Sequence, residues 1–183
     1  MQMKDKPNDL LLLAGKILTV IIQAIMVLVG GVLAILLPIL LIFQDEVSAE
    51  IAAENPDVLT AFPLWPMAGF FLLIIAIVVL TFLFFGKLRA IISSVGDADP
   101  FVPENADRLN AMAWLLLVGQ ILMIPVAGLG LIVAKWADEV ENADVTIDAG
   151  IDLIGILMVV ILFILARVFK HGAAMREDLE GTV

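Results

Sequence analysis

The chain has 183 residues, of which 62% are hydrophobic and only 16% are charged, whereas soluble domains average about 45–50% and about 25%. This composition excludes a soluble enzyme and a disordered chain, and the formal net charge of −10 argues against a nucleic-acid-binding surface. Because the sequence has no Cys and a single His, it offers no disulfide, no thiolate nucleophile and no His/Cys metal cluster. The composition therefore predicts an integral membrane protein without a cofactor.

Four apolar stretches are long enough to cross a bilayer as helices. A hydrocarbon core of about 30 Å requires about 20 mostly apolar residues, and we predict spans at about residues 13–43, 64–86, 111–135 and 149–169. The fourth is the shortest, because its uninterrupted apolar run, Leu153 to Ala166, has 14 residues, about 21 Å of helix. The predicted fold class is all-α: residues 1–183 form one four-span domain, a four-helix transmembrane bundle whose helices extend into the cytoplasm.

The distribution of Lys and Arg predicts the orientation. Lys135 lies alone between the third and fourth spans, and the other nine cations fall on the opposite side of the membrane: Lys4, Lys6, Lys16, Lys87, Arg89, Arg108, Arg167, Lys170 and Arg176. The positive-inside rule then places both termini, the loop 87–110 and the tail 170–183 in the cytoplasm. We expect a multi-pass protein with the excess of acidic residues on its external face.

Two glutamines, Gln23 and Gln120, are the uncharged amides within the spans. We expect them to form hydrogen bonds between helices, because no charged residue is expected beside Gln120 at mid-membrane depth. The alternative is a substrate or ion pathway, for which buried polar groups are typical.

An ion pair is predicted at the external ends of the third and fourth spans. Lys135 ends the third span and Asp152 precedes the last apolar run, so the two charges are expected to meet at the same depth. The alternative is a cation site formed by the acidic residues of this connection, although their spacing lacks the glycine of a calcium loop. Those residues are Asp138, Glu139, Glu141, Asp144, Asp148 and Asp152.

The loop 87–110 has a more specific pattern than the spans. Apolar residues recur three and four apart from Leu88 to Val95, which predicts that the second helix continues to Gly96. Pro103 suits the first position of the third helix. We expect Phe101 to pack the loop onto the bundle, and the apolar residues of the tail to dock on the helix after Gly86; these are Met175, Leu179 and Val183.

These segments resemble the bacterial membrane proteins of domain-of-unknown-function family 2975. The resemblance rests on Ala98-Asp99-Pro100-Phe101, Asn105 and Arg108-Leu109, and on the tail residues Arg167, Lys170, Arg176-Glu177-Asp178 and Gly181-Thr182-Val183. Ala98 and Gly181 depart from the common pattern. The family has no established activity, but its members are often encoded beside a small helix-turn-helix transcription regulator. The resemblance therefore implies a multi-pass protein of a bacterial cytoplasmic (inner) membrane that acts on such a regulator.

Two functions are compatible with the sequence. The first is a regulatory membrane protein that binds a cytoplasmic partner, such as a small helix-turn-helix transcription regulator, through its loop and tail; the candidate contacts are Arg89, Phe101, Asn105, Arg108, Arg176 and Glu177. The alternative is a small transporter, channel or ligand-binding membrane protein that acts as an oligomer, with a polar cavity near Gln120 and Gln23. An enzyme is not expected, because no nucleophile and base stand at a recognisable spacing.

Overall fold

The computed structural model of the chain describes residues 10–54, 61–96, 99–141 and 152–180, and every regular element within these ranges is an α-helix. Four of the five helices are long and apolar enough to cross a membrane. This confirms the predicted all-α fold class with four candidate spans. The five helices are α1 (Leu10–Ile42), α2 (Gln44–Glu54), α3 (Leu64–Gly96), α4 (Pro103–Glu141) and α5 (Leu153–Glu180).

The long helices carry their apolar side chains on the outside. In the most apolar stretches of α1 and α3 no residue is buried, and in those of α4 and α5 the buried share is 11% and 22%. Large apolar side chains such as Leu28 and Ile124 are more than two-thirds exposed. In water such contiguous apolar surface would drive aggregation, whereas lipid chains solvate it. The four apolar helices therefore indicate a multi-pass membrane protein.

Helix α2 was not predicted. It follows α1 after the single non-helical residue Phe43, and the backbone N–H groups of Phe43 and Val47 donate to the carbonyls of Ile39 and Phe43, both at 3.0 Å. Asp45 and Glu46 lie in its first turn, where carboxylates interact favourably with the exposed N–H groups and the helix dipole. The chain thus passes from an apolar helix into an acidic one with little interruption.

The helix ends around the α3–α4 connection agree with the prediction. Helix α3 continues to Gly96, and α4 begins at Pro103, with the N–H of Asn105 donating to the carbonyl of Val102 at 2.9 Å. Pro125 lies inside α4 without ending it. Helix α5 extends well past its apolar run, so most of the predicted tail is helical.

The chain forms two compact units, and α1, α3 and α4 each contribute to both. Unit 1 comprises the described residues within Met1–Val27, Leu80–Val118 and Leu153–Val183; unit 2 comprises those within Leu28–Val79 and Gly119–Asp152. In unit 1, small side chains such as Ala113 and Ala166 permit close approach of helices. Its buried core consists of Ile91, Leu109, Met112, Ala113, Leu162 and Ala166.

Unit 2 is packed more sparsely. Val126 and Ala134 of α4 are buried, and the rings of Phe62 and Trp136 meet edge to face with centroids 5.3 Å apart. A Cβ atom at Gly69 would lie 3.1 Å from a methyl group of Leu129, so α3 and α4 approach closely here. The most extensive buried core of the described chain is therefore in unit 1, beside the α3–α4 connection.

Candidate functional site

Asn105 organises the connection between α3 and α4. Its side chain is completely buried; Nδ2 donates to the Ser94 hydroxyl at 2.7 Å and to the Pro100 carbonyl at 2.9 Å. Its Oδ1 atom accepts a hydrogen bond of 2.8 Å from the Arg108 guanidinium. One amide thus joins the end of α3, the turn and the first turns of α4. The prediction of Asn105 as a direct partner contact is wrong, because a side chain with no exposed surface cannot touch a partner.

Phe101 packs the turn onto α5, as predicted. Its ring centroid lies 5.4 Å from that of Phe169, and the ring rests on the backbone of Gly172, where an added Cβ would approach Cδ1 to 2.7 Å. A side chain at position 172 would therefore collide with the ring. Phe101 nevertheless remains 43% exposed, so one face of the ring lies on the surface of the protein.

Arg176 holds the C-terminal part of α5 to the same turn. Its guanidinium forms a hydrogen-bonded ion pair with the Asp99 carboxylate, and both side chains remain partly exposed. The prediction that Met175 docks on the helix after Gly86 is not confirmed: this side chain is 52% exposed and lines a groove between α4 and α5. Leu179 and Val183 lie outside the described side chains. The tail is held by a charge pair and by the Phe101–Gly172 contact.

The remaining predicted contacts differ in accessibility. Arg89 and Glu177 are exposed, and Arg108 is half-buried because part of its guanidinium faces Asn105. Sequence reasoning missed the roles of Ser94 and Gly172. A glycine in the interior of a helix costs about 1 kcal/mol relative to alanine, and this cost was the available signal for a close contact at Gly172.

A groove with a volume of about 1330 Å³ runs between the first turns of α4 and the middle of α5, residues 160–175. Most of its wall belongs to α5, and basic and apolar side chains both face it. The groove is lined by Phe101, Ala106, Asp107, Asn110, Val160, Phe163, Ile164, Ala166, Arg167, Val168, Lys170, His171, Gly172 and Met175.

Gln23 forms the predicted contact between helices. Its Nε2 atom donates to the Phe82 carbonyl at 3.2 Å, and the absence of a side chain at Gly86 leaves room for the amide, since a Cβ there would lie 3.2 Å from Nε2. Gln23 therefore has a structural role in packing α1 against α3.

Gln120 has a charged partner that was not expected. Its Nε2 atom donates to the Asp152 carboxylate at 2.9 Å, so the premise that no charge lies beside this amide is wrong. The contact also excludes the predicted Lys135–Asp152 ion pair: Lys135 is fifteen residues further along α4, about 22 Å of helix rise from Gln120. The alternative cation site lies partly outside the described residues, within which no group of three His, Cys, Asp or Glu side chains is placed to hold a metal.

Comparison with known proteins shows the family. Searches of curated proteins and of solved structures returned no match. A family model with the description "Protein of unknown function (DUF2975)" matches residues 46–183, a region that contains α3, α4 and α5, the Asn105 turn and the Asp99–Arg176 pair. The match covers three-quarters of the chain and includes the motifs that carry the resemblance, so the chain belongs to the DUF2975 family.

Proposed function

We propose that this protein is a regulatory membrane protein that binds a cytoplasmic partner, such as a small helix-turn-helix transcription regulator, through its turn–tail surface. We define this surface as the exposed side chains of residues 99–102 and 167–178. The observation that carries the proposal is the attachment of α5 to the turn through Arg176 and Asp99. A connection that serves only to join two spans needs no such contact, whereas a binding surface gains affinity when it is ordered in advance.

The composition of the turn–tail surface is that of a protein interface. Exposed aromatic and methionine side chains with arginine nearby are enriched in such interfaces, and Phe101 and Met175 are 43% and 52% exposed. Arg167 and Glu177 add exposed charges of both signs. The surface also lies where the positive-inside rule predicts cytoplasm, and the family resemblance implies a regulator as the partner.

Affinity purification tests the proposal. The tagged protein, extracted in mild detergent, is expected to retain a stoichiometric cytoplasmic protein identifiable by mass spectrometry. The charge reversal Glu177→Lys should release it, because this side chain is exposed on the turn–tail surface and does not contact Asn105. Glu50→Lys on α2 is the matched control. Recovery of the bait alone in several detergents, or equal recovery of the partner by all variants, would reject the proposal.

The orientation can be tested directly because the chain contains no cysteine. Single cysteines at exposed positions of α5 and α2, Glu177→Cys and Ala49→Cys, are treated with a membrane-impermeant maleimide in intact bacterial cells. We expect Ala49→Cys to react and Glu177→Cys to react only after permeabilisation. The opposite labelling pattern would place the turn–tail surface outside the cell and contradict a cytoplasmic partner.

A second candidate function is an oligomeric transporter, channel or ligand-binding protein. The Gln120–Asp152 hydrogen bond favours it: Gln120 follows Arg108 by twelve residues and precedes Lys135 by fifteen, about 18 and about 22 Å of helix. A polar pair at such a depth is costly in lipid and typical of functional sites, and Asp152 is exposed in the single chain.

Flux and mass measurements test this second candidate. Proteoliposomes containing the oligomer should conduct a solute, and Gln120→Leu should abolish the flux, whereas Gln23→Leu should leave it, because Gln23 serves in packing. A monomeric mass in several detergents together with no flux for a panel of ions and small solutes would exclude it.

A further inference from the structure

We propose that the groove between α4 and α5 binds an anionic glycerophospholipid, one molecule with its phosphate at the basic end and its acyl chains along the apolar end. The groove has a volume of about 1330 Å³, larger than the roughly 300–1,000 Å³ typical of small-molecule pockets. An extended, flexible ligand suits such a long site better than a compact metabolite does. The groove shares Phe101, Arg167 and Met175 with the turn–tail surface, but lipid binding in it does not require the partner proposed above.

One face of α5 divides the groove into two chemical halves. Val160, Ile164, Arg167 and His171 follow one another at intervals of four, three and four residues, so these side chains form one stripe along the helix. The stripe changes from aliphatic to basic at Arg167, where the apolar run of α5 ends. A ligand in this groove therefore meets hydrocarbon at one end and cations at the other.

The charges at the basic end are available for a ligand. Arg167 and Lys170 are exposed, and neither forms an ion pair with any residue in the described part of the chain. They oppose a single carboxylate in the groove, that of Asp107. Two cations beside one carboxylate favour a ligand with a negatively charged headgroup, since basic pockets at the cytoplasmic ends of transmembrane helices bind anionic lipid headgroups.

The α4 side of the groove favours a headgroup that also carries hydroxyl groups. Asp107 can accept hydrogen bonds from such hydroxyls, and the amide of Asn110, three residues along α4, can donate and accept. A phosphoglycerol headgroup offers both a phosphate for Arg167 and Lys170 and hydroxyl donors for Asp107. Phosphatidylglycerol is therefore the lipid to which the proposal commits.

The apolar half of the groove argues against other occupants. Val160 and Ile164 belong to the membrane-spanning part of α5, so a cytoplasmic helix could cover them only by entering the bilayer. A free phosphate ion would occupy the basic end and leave these side chains uncovered. A membrane lipid reaches both ends without leaving the bilayer.

Trp114 provides an internal probe of occupancy. Its indole meets the ring of Phe163 edge to face, with centroids 5.6 Å apart, and Phe163 lines the groove. The variant Trp65→Phe with Trp136→Phe leaves Trp114 as the single tryptophan. It is reconstituted in phosphatidylcholine bilayers with increasing fractions of phosphatidylglycerol whose acyl chains are brominated. Bromine atoms in the groove will quench the fluorescence of Trp114.

We expect brominated phosphatidylglycerol to quench Trp114 more strongly than brominated phosphatidylcholine at the same mole fraction. A basic side chain near an anionic headgroup contributes roughly fivefold in affinity, so Arg167→Gln with Lys170→Gln should lower the preference for phosphatidylglycerol by roughly thirtyfold. The control Lys16→Gln with Lys87→Gln removes two cations that do not line the groove. It should change the preference less than twofold.

Three results would overturn the proposal. The first is equal quenching by the two brominated lipids in the parent protein. The second is a preference for phosphatidylglycerol that survives the loss of Arg167 and Lys170. The third is loss of the preference when excess inorganic phosphate is added, which would identify a site for the phosphate group alone. Partner capture is tested with Glu177→Lys, a position that does not line the groove, so the two proposals fail separately.

Discussion

Replacement of Asn105 by alanine tests whether one buried amide holds the α3–α4 turn. The substitution removes two hydrogen bonds to neutral partners and one to the Arg108 guanidinium. Each hydrogen bond to a neutral partner contributes about 1 kcal/mol, and the one to the guanidinium contributes about 1.5–3 kcal/mol. The better helix propensity of alanine offsets about 0.5 kcal/mol of this loss. We expect Asn105→Ala to lower the free energy of unfolding by about 3–4.5 kcal/mol. For a chain of this size that corresponds to a Tm lowered by roughly 10 °C.

Thermal unfolding in detergent, followed by circular dichroism, measures the loss. Asn110→Ala is the matched control: this asparagine lies on the same helix but is exposed, so its loss should shift the Tm little. A double-mutant cycle sharpens the test, because Ser94→Ala should cost much less in the Asn105→Ala background than in the parent protein. A Tm for Asn105→Ala close to that of the control, or additive effects in the cycle, would refute the assigned network.

Two further predictions use glycines as probes of close contacts. The reference variant is Gly119→Ala, because a Cβ at position 119 meets no atom within 4 Å. This variant should gain about 1 kcal/mol of stability from the better helix propensity of alanine. Gly172→Ala should be about 1–2 kcal/mol less stable than this reference, because the added methyl group forces the Phe101 ring away from Phe169. Amide hydrogen exchange in the turn should also become faster. Equal stability and unchanged exchange would contradict the contact. Gly86→Ala should break the hydrogen bond of Gln23 and cost about 1 kcal/mol of stability. In a protein that already carries Gln23→Ala, the same substitution should instead be stabilising. A cost of Gly86→Ala that persists in the Gln23→Ala protein would contradict the reasoning. Thermal unfolding in detergent measures the stabilities.

The course of the chain follows closely from its sequence. Continuous apolar runs predict four membrane helices because lipid requires every backbone N–H and C=O group to be paired within the segment. Single residues also predicted two helix ends. Pro103 predicted the first residue of α4, and Gly96 predicted the last residue of α3. The packing of Phe101 onto the bundle was also foreseen, because a lone aromatic residue in a short turn has few other places to bury its ring; that α5 is the helix it meets was not.

Helix α2 and the polar contacts between distant residues could not be predicted in the same way. Helix α2 has acidic residues at 46, 50 and 54, a four-residue spacing at which like charges disfavour a helix, and no apolar periodicity. Asn105 was misassigned because a polar residue in a loop gives no sign that it is buried. Gln120 and Asp152 are 32 residues apart, and their contact depends on where α5 begins relative to α4.

The short apolar run of α5 affects the bilayer around the protein. Between Asp152 and Arg167 the chain offers about 21 Å of apolar helix, whereas the hydrocarbon core is about 30 Å thick. This mismatch is accommodated by Arg167 extending its charged end toward the interface and by thinning of the adjacent lipid, at a fraction of a kcal/mol for each ångström. A bilayer with shorter acyl chains therefore carries less of this deformation energy beside α5.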